Sequence, residues 1–152
     1  MVWNDKVRAL GIAGESRGEI YNIIFRRCTV LHSLADWAAE VGALCVVLCD
    51  AGTVHDIVFE QIDVLDERAN GINCMLFRDR WSTDTQAGHI RAICFRDISL
   101  PKNVSVRLWG YDAAHRVEDI LLQNVHMEEA EAPWLDSNVY TSEIQVRGTR
   151  NE

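Results

Sequence analysis

An eleven-residue pattern that recurs four times constrains the fold of this 152-residue chain more than any other feature. The four copies are Ile20–Val30, Val54–Val64, Ile90–Leu100 and Val117–Met127. Positions one, four, six, nine and eleven are apolar in every copy, and position four is always Ile. Position six is Phe in three copies and Leu in the fourth. Repeats that start roughly 20–50 residues apart are typical of solenoids and propellers.

The spacing within each copy predicts extended strands. Positions four and six are two residues apart, as are positions nine and eleven, so each pair faces one side of a strand. A polar pair at positions seven and eight lies between them and predicts a bend. An amphipathic helix would place apolar residues at i, i+3, i+4 and i+7, which the always polar position eight contradicts. Each copy is therefore interpreted as two short strands that meet at a corner.

A third strand-like run lies in each interval between copies. These runs are Ala43–Leu48, Ile72–Phe77 and Val104–Trp109, with Ala9–Ala13 before the first copy and Glu143–Arg147 after the last. Three short strands per turn predict an all-β parallel β-helix of about four to five coils. Stacked Ile, Phe and Val side chains would supply its core. The whole chain, 1–152, is predicted to be a single domain of this kind.

One short helical insertion is predicted between the first copy and the next apolar run. Ser33–Val41 places its apolar residues on one helical face, Ser33 can cap the helix, and Gly42 can end it. Asp79–Gly88 is polar and aperiodic, which predicts an exposed loop. The competing fold is a strand–helix–strand α/β sandwich, which would need several helices.

Charge and hydropathy exclude two classes of partner. The net charge of −8 argues against binding to nucleic acid. No apolar run approaches the roughly 18–20 residues that cross a bilayer, and we expect no membrane partner. The N-terminal residues lack the pattern of a signal peptide. The chain as it stands is expected to be cytoplasmic, or secreted or periplasmic if it is part of a larger enzyme.

The five cysteines indicate buried thiols. They are Cys28, Cys45, Cys49, Cys74 and Cys94, an odd number without the paired spacing of a disulfide framework. Small buried hydrophobic side chains are the favoured interpretation, and structural zinc is the alternative. The sequence predicts no metal and no cofactor.

The repeats resemble the coils of right-handed parallel β-helices in the pectin-lyase-like superfamily. The C-terminal half is similar to family 28 glycoside hydrolases, the polygalacturonase-like enzymes. The similarity lies in Ile90–Leu100, Val104–Gly110 and Val117–Met127. It implies a right-handed solenoid from the C-terminal portion of a larger enzyme. It also implies hydrolysis of an acidic or neutral polysaccharide by an acid and a base carboxylate.

Several family motifs are missing from this chain. Three of them, Asn-Thr-Asp, Gly-Asp-Asp and Gly-His-Gly, are absent, and Arg107-Leu108-Trp109 stands where the family has Arg-Ile-Lys. Inverting glycosidases need two carboxyl groups roughly 6.5–9.5 Å apart, and no paired aspartates occur. No catalytic residue is therefore assigned, and the alternative function is a non-catalytic carbohydrate-binding or structural module. A lyase relative would need calcium-binding aspartates beside a basic residue, and no such set occurs.

Outward residues of the third-strand row are the predicted substrate-binding residues. They are Asp50, Asp79, Arg80, Trp81, Arg107, Trp109 and Tyr111. Equivalent residues of neighbouring coils lie about 4.8 Å apart, so they could follow an extended polymer. Aromatic rings stack on sugars, and Asp and Arg suit hydroxyls and acidic sugars. The alternative is structural, with the tryptophans packed on the coil and Asp50 bonded to its own turn.

The ends of a β-helix predict self-association. An end coil leaves backbone groups and apolar side chains unpaired, and solenoids normally cover them with caps. Few residues precede the first strand, whereas the acidic stretch from Glu131 could cover the other end. We expect a homo-oligomer formed through the N-terminal coil, either end to end or by exchange of a strand.

Overall fold

The computed structural model describes residues 1–34, 41–102, 104–128 and 133–151, and this part of the chain is all β. Its strands are β1 Val2–Asn4, β2 Leu10–Gly14, β3 Glu19–Ser33, β4 Leu44–Leu48, β5 Thr53–Val64, β6 Ile72–Leu76, β7 His89–Leu100, β8 Val106–Trp109, β9 Val117–Met127, β10 Leu135–Ser137, β11 Thr141–Arg147 and β12 Arg150–Asn151. Within these ranges there is no helix, and so none that could span a bilayer.

The strands form two parallel sheets, and the chain passes back and forth between them. The larger sheet has the order β1-β3-β5-β7-β9-β11, with β12 also paired to β9. The smaller sheet has the order β10-β8-β6-β4-β2. Each strand from β1 to β9 therefore pairs with the strand two further along the sequence. The all-β class and the parallel pairing are confirmed, and the arrangement is compatible with a β-helix-like solenoid.

The four copies lie on one another in the register that the sequence predicts. Position four aligns Ile23 with Ile57, and the alignment continues through the next two copies. Position six stacks aromatic rings, with centroids 4.7 Å apart between Phe25 and Phe59 and 4.8 Å apart between Phe59 and Phe95. These columns form the hydrophobic core, because each inward side chain packs against its equivalent in the next repeat.

Each repeat contains two bends, not one. The predicted bend at positions seven and eight is confirmed, because position eight has a positive φ in all four copies: Arg27, Gln61, Asp97 and Asn124. A second bend at position three was missed, and its residues are Asn22, Asp56, Ala92 and Asp119. Asn and Asp tolerate this left-handed backbone better than most residues. The sequence does indicate both bends, because the apolar positions one and four are three residues apart, as are positions six and nine, and a straight strand would space them by two.

A fifth, more polar repeat closes the C-terminal end. β11 and β12 align with β9 from Thr141 opposite Val117 to Asn151 opposite Met127. The sequence predicts only the strand inside this repeat, because positions one, nine and eleven are Thr141, Thr149 and Asn151 instead of apolar residues. The columns at positions one and nine therefore end in threonines, and the column at position four ends in Ile144, which packs against the core.

The predicted helix falls mainly on residues 35–40, which lie outside the described part of the chain. Ser33 is the last residue of β3. The predicted loop Asp79–Gly88 contains no strand or helix. Cys45, Cys49 and Cys74 are buried free thiols, and burial raises the pKa of Cys45 to about 11. Such thiols behave as small apolar side chains.

The aromatic column gives a first test. Replacing the fully buried Phe59 by Ala should lower the free energy of unfolding by about 3–5 kcal/mol, because it leaves a cavity between two rings. Phe25→Ala is the matched control and should cost less, since Phe25 is only partly buried at the end of the column. Urea unfolding measures both variants, and equal losses would contradict the stacked core.

The missed bend gives a second test. Ala92 has a φ of 54°, a conformation that a Cβ atom disfavours. Ala92→Gly should therefore raise the free energy of unfolding by up to about 1 kcal/mol. This net gain is the backbone strain relieved in the folded state, reduced by the extra conformational entropy that Gly gives the unfolded chain. Ala114, which is exposed and has no positive φ, is the control, and Ala114→Gly should be neutral or destabilising. Thermal unfolding measures the stability of both variants, and a loss of stability in Ala92→Gly would contradict the bend at this position.

Candidate functional site

The outer face of the smaller sheet carries the strongest group of candidate binding residues. Arg107 of β8 lies opposite Asn73 of β6 on one side and Asp136 of β10 on the other. Successive side chains of a strand point to opposite faces. Because Leu108 belongs to the core, Arg107 and Trp109 point away from it. Arg107, Trp109 and Asp136 thus lie on one surface, and the neighbouring Asn73 is buried beside them.

Arg107 is held between a ring and a carboxylate. Its guanidinium carbon lies 5.0 Å from the centroid of the Trp109 ring, and its Nε donates a hydrogen bond to Asp136 Oδ2 at 3.2 Å. A guanidinium at this distance from an indole is attracted by the ring quadrupole. Trp109 nevertheless keeps 36% of its surface exposed. The contact orients the indole and leaves part of it available to a ligand.

A small cavity lies directly beside this group. It has a volume of about 150 Å³, and its polar lining comes from Asn70, Asn73, Ser105 and Arg107. Pockets for drug-sized molecules measure roughly 300–1,000 Å³, so this cavity is smaller than a typical ligand site. Its size and polar lining suit a small polar group.

Asp79, Arg80 and Trp81 form a separate group in the connection between β6 and β7. Asp79 Oδ1 accepts a hydrogen bond from the Trp81 amide at 2.7 Å. The Arg80 guanidinium carbon lies 4.8 Å from the centroid of the Trp81 ring, and 53% of Trp81 is exposed. This is a second Arg–Trp pair, but it belongs to a loop and not to the strand that carries Trp109.

Asp50 lies beneath that loop and fixes it. Its carboxylate accepts hydrogen bonds from the amides of Thr83 at 2.7 Å and Asp84 at 2.8 Å, and from the Thr83 hydroxyl at 2.9 Å. Arg17 Nη2 lies 3.4 Å from Asp50 Oδ2. The Asp84 amide contributes most to holding the pKa of Asp50 below its ordinary value. Since Asp50 is fully buried, it positions the loop and does not face a ligand.

Tyr111 follows β8 and is exposed. Its ring meets the His115 ring edge-on, with centroids 6.5 Å apart. The turn between them is fixed because Asp112 Oδ1 accepts hydrogen bonds from the His115 amide and from the Ala114 amide, both at 2.8 Å. Tyr111 is therefore held just past the end of the strand that carries Arg107 and Trp109.

The structure thus groups some of the predicted residues and adds two that the sequence missed. Arg107 and Trp109 lie together with Asn73 and Asp136. Asn73 occupies in β6 the position of Arg107 in β8. The predicted runs Ile72–Phe77 and Val104–Trp109 are shifted by two residues from this register, so aligning them would have paired Arg107 with Met75 instead. Asp136 lies in a strand of three residues without apolar alternation, and no sequence signal marks it.

None of the described carboxyl groups with a shifted pKa has it raised. A general acid of this class needs a raised pKa. The described carboxyl groups whose pKa departs from its ordinary value are Asp50, Glu60, Asp66 and Asp112, and all four are lowered. The residues described here also contain no cluster of three or more His, Cys, Asp or Glu side chains that could hold a metal ion.

Comparison with known proteins adds no relative. No family model, no curated protein and no solved structure matches the chain.

The position of Asp50 gives a third test. Asp50→Asn should lower the hydrogen-exchange protection of the Thr83 and Asp84 amides, because the neutral amide is a weaker acceptor. Asp79→Asn is the control and should leave these two amides unchanged, since Asp79 bonds only within its own turn.

The pH dependence of the same amides follows from the lowered pKa. Asp50 stabilises the loop above the ordinary carboxyl value of 3.8, and this contribution is lost as the pH falls through the lowered pKa of the folded state. The wild-type protection should therefore fall in acid, and Asp50→Asn should remove that dependence. Unchanged acid dependence in the variant would contradict the assignment.

Proposed function

We propose that this chain is a right-handed parallel β-helix that binds a polysaccharide on the outer face of β6, β8 and β10 without cleaving it. The observation that carries the proposal is the stacking of Arg107 on the partly exposed Trp109, beside Asp136 and a small polar cavity. The binding surface consists of Arg107, Trp109 and Asp136, with Tyr111 at its edge, and the buried Asn73 lines the cavity beside it.

The strand connections support the solenoid. From β2 to β11 the chain alternates between two parallel sheets and returns one strand further along each time. Crossover connections between parallel strands of one sheet are right-handed in about 98% of cases. The repeated eleven-residue register is also what stacked coils of a β-helix require.

The side chains suit a sugar polymer. An indole face buries the apolar C–H surface of a sugar ring and leaves the hydroxyl groups at its edge. Arg107 can donate to a sugar carboxylate or hydroxyl, and Asp136 can accept hydrogen bonds from hydroxyls. Because β-strands of neighbouring layers are regularly spaced, a repeating polymer can contact several of them at once. The arrangement fits a neutral polysaccharide or one with acidic sugars.

Binding without cleavage is favoured over hydrolysis by the carboxyl groups. The resemblance to family 28 glycoside hydrolases implies an acid and a base carboxylate, and the three missing motifs would supply them in that family. Asp136, the carboxylate at the proposed surface, is bonded to Arg107 and not to a second carboxylate. Hydrolysis is the alternative function, and one experiment distinguishes the two.

The experiment measures binding and bond cleavage on the same polysaccharide panel. Neutral and acidic polymers are tested by affinity electrophoresis, and reducing ends are assayed after long incubation. We expect retardation by at least one polymer and no increase in reducing ends. Release of reducing ends by the wild-type protein would show that the chain is a hydrolase.

Variants then locate the surface. Trp109→Ala should weaken binding at least tenfold, equivalent to about 1.4 kcal/mol, through loss of the stacked ring. Trp3→Ala is the matched control, because Trp3 is exposed on β1 in the other sheet and should not affect binding. Trp81→Ala shows whether the loop pair contributes. Equal affinity of Trp109→Ala and wild type, or no binding to any polymer, would contradict the proposal.

A further inference from the structure

Most of β3 has one unpaired edge. β3 pairs with β5 on one side from Glu19 to Val30. On its other side β1 pairs only with Val30, His32 and Ser33. In the described part of the chain no strand covers the remaining edge of residues 19–29. About half of the backbone N–H and C=O groups of this segment therefore point away from β5, a geometry that favours pairing with another strand.

The side chains of this segment are also incompletely covered. Its inward residues Ile20, Ile23, Phe25 and Cys28 are only partly buried. Their equivalents in the next repeat, Val54, Ile57, Phe59 and Ile62, are fully buried. On the outer side Tyr21 is 50% exposed and Ile24 is 56% exposed. In the described chain this end is therefore covered only on the side of β5, where the Tyr21 ring stacks on the His55 ring with centroids 5.1 Å apart.

The opposite end of the stack differs in chemistry. The fifth repeat carries Thr141 and Thr149 at inward positions where the first repeat has Ile20 and Cys28, and it keeps apolar residues only at positions four and six. A head-to-tail contact would bury these polar groups against the apolar end. A contact between two N-terminal ends would instead bury apolar side chains against apolar side chains.

The order of inward and outward side chains along β3 is symmetric. Positions one, four, six and nine point inward and the others between them point outward, an order that is the same in both directions about position five. Position five is Ile24, which is also the midpoint of the unpaired segment 19–29. Since opposite residues in a sheet point to the same face, an antiparallel copy centred here keeps the inward side chains of the straight segment between the two bends inward, and the bends at Asn22 and Arg27 face the unbent residues at positions seven and two of the second copy.

We propose that two copies of this chain associate through their N-terminal ends as a two-fold symmetric dimer. The two β3 strands pair antiparallel, and Ile24 of one protomer lies opposite Ile24 of the partner subunit. Ile20 then lies opposite Cys28 of the partner subunit, and Ile23 lies opposite Phe25 of the partner subunit. Such an interface uses the same patch on both protomers and closes on itself.

The charged side chains of β3 are compatible with the antiparallel register about Ile24. Arg26 lies opposite Asn22 of the partner subunit, and Arg27 lies opposite Tyr21 of the partner subunit, where a guanidinium can stack on the ring. Glu19 lies diagonal to Arg27 of the partner subunit. No like charges stand directly opposite each other, an arrangement that would be unfavourable. The dimer is independent of the proposed polysaccharide surface, which lies on the other sheet.

Sedimentation of matched variants tests the dimer. The wild-type chain should sediment as a dimer at micromolar concentration, and Ile24→Lys should sediment as a monomer, because it places two ammonium groups against each other. Val58→Lys is the control, because Val58 occupies the same position in the next repeat and should leave the dimer intact. Unchanged circular dichroism and unfolding midpoints establish that the variants fold.

Cross-linking tests the register itself. Opposite Cβ atoms of antiparallel strands lie about 4.5–5.5 Å apart, near disulfide distance. Ile24→Cys should therefore form a disulfide-linked dimer under mild oxidation, and Val58→Cys should not. The wild-type chain, with its five native thiols, sets the background. Four results would each overturn the proposal. They are a monomeric wild type, assemblies larger than dimers at higher concentration, a dimeric Ile24→Lys variant, and the absence of a cross-link through position 24.

Discussion

The stacking of equivalent residues in register is the interaction on which the rest of the structure depends. A single repeat is too thin to bury its own apolar side chains, so each inward Ile or Phe is covered by the same residue of the next repeat. The rings of Phe25, Phe59 and Phe95 show this directly, with successive centroids less than 5 Å apart. A core built from columns explains why the inward side chains of the central repeats are fully buried and why those of the first repeat are only partly buried.

The same register orders the polar residues on the outside. Neighbouring strands bring outward side chains of equivalent positions close together, so like charges in one column would repel. In the larger sheet Glu60 forms ion pairs with Arg26 on one side and Arg96 on the other, and hydrogen bonds from Arg96 are the main cause of its lowered pKa. In the smaller sheet Arg107 stands between Asn73 and Asp136 by the same geometry.

A stack of this kind has two ends, and here they are chemically different. The last described repeat has Thr141 and Thr149 where earlier repeats have core residues, and it keeps Ile144 packed against the core, so this end is the more polar one. The first repeat keeps apolar residues at every inward position and leaves one edge of residues 19–29 without a strand partner in the described chain. The proposed dimer therefore uses one end of the stack, and the proposed polysaccharide surface lies on an outer face.

The sequence by itself determined the repeat, its register, the aromatic column and one bend, because these depend on apolar spacing that each repeat carries locally. The bend at Ala92 and its equivalents was recoverable from the spacing of three residues between positions one and four. Only the tertiary structure decided that Asp50 is buried under a loop and that Asp136 meets Arg107. Both contacts join segments about 30 residues apart whose polar side chains have no periodicity, so their meeting depends on how the layers stack.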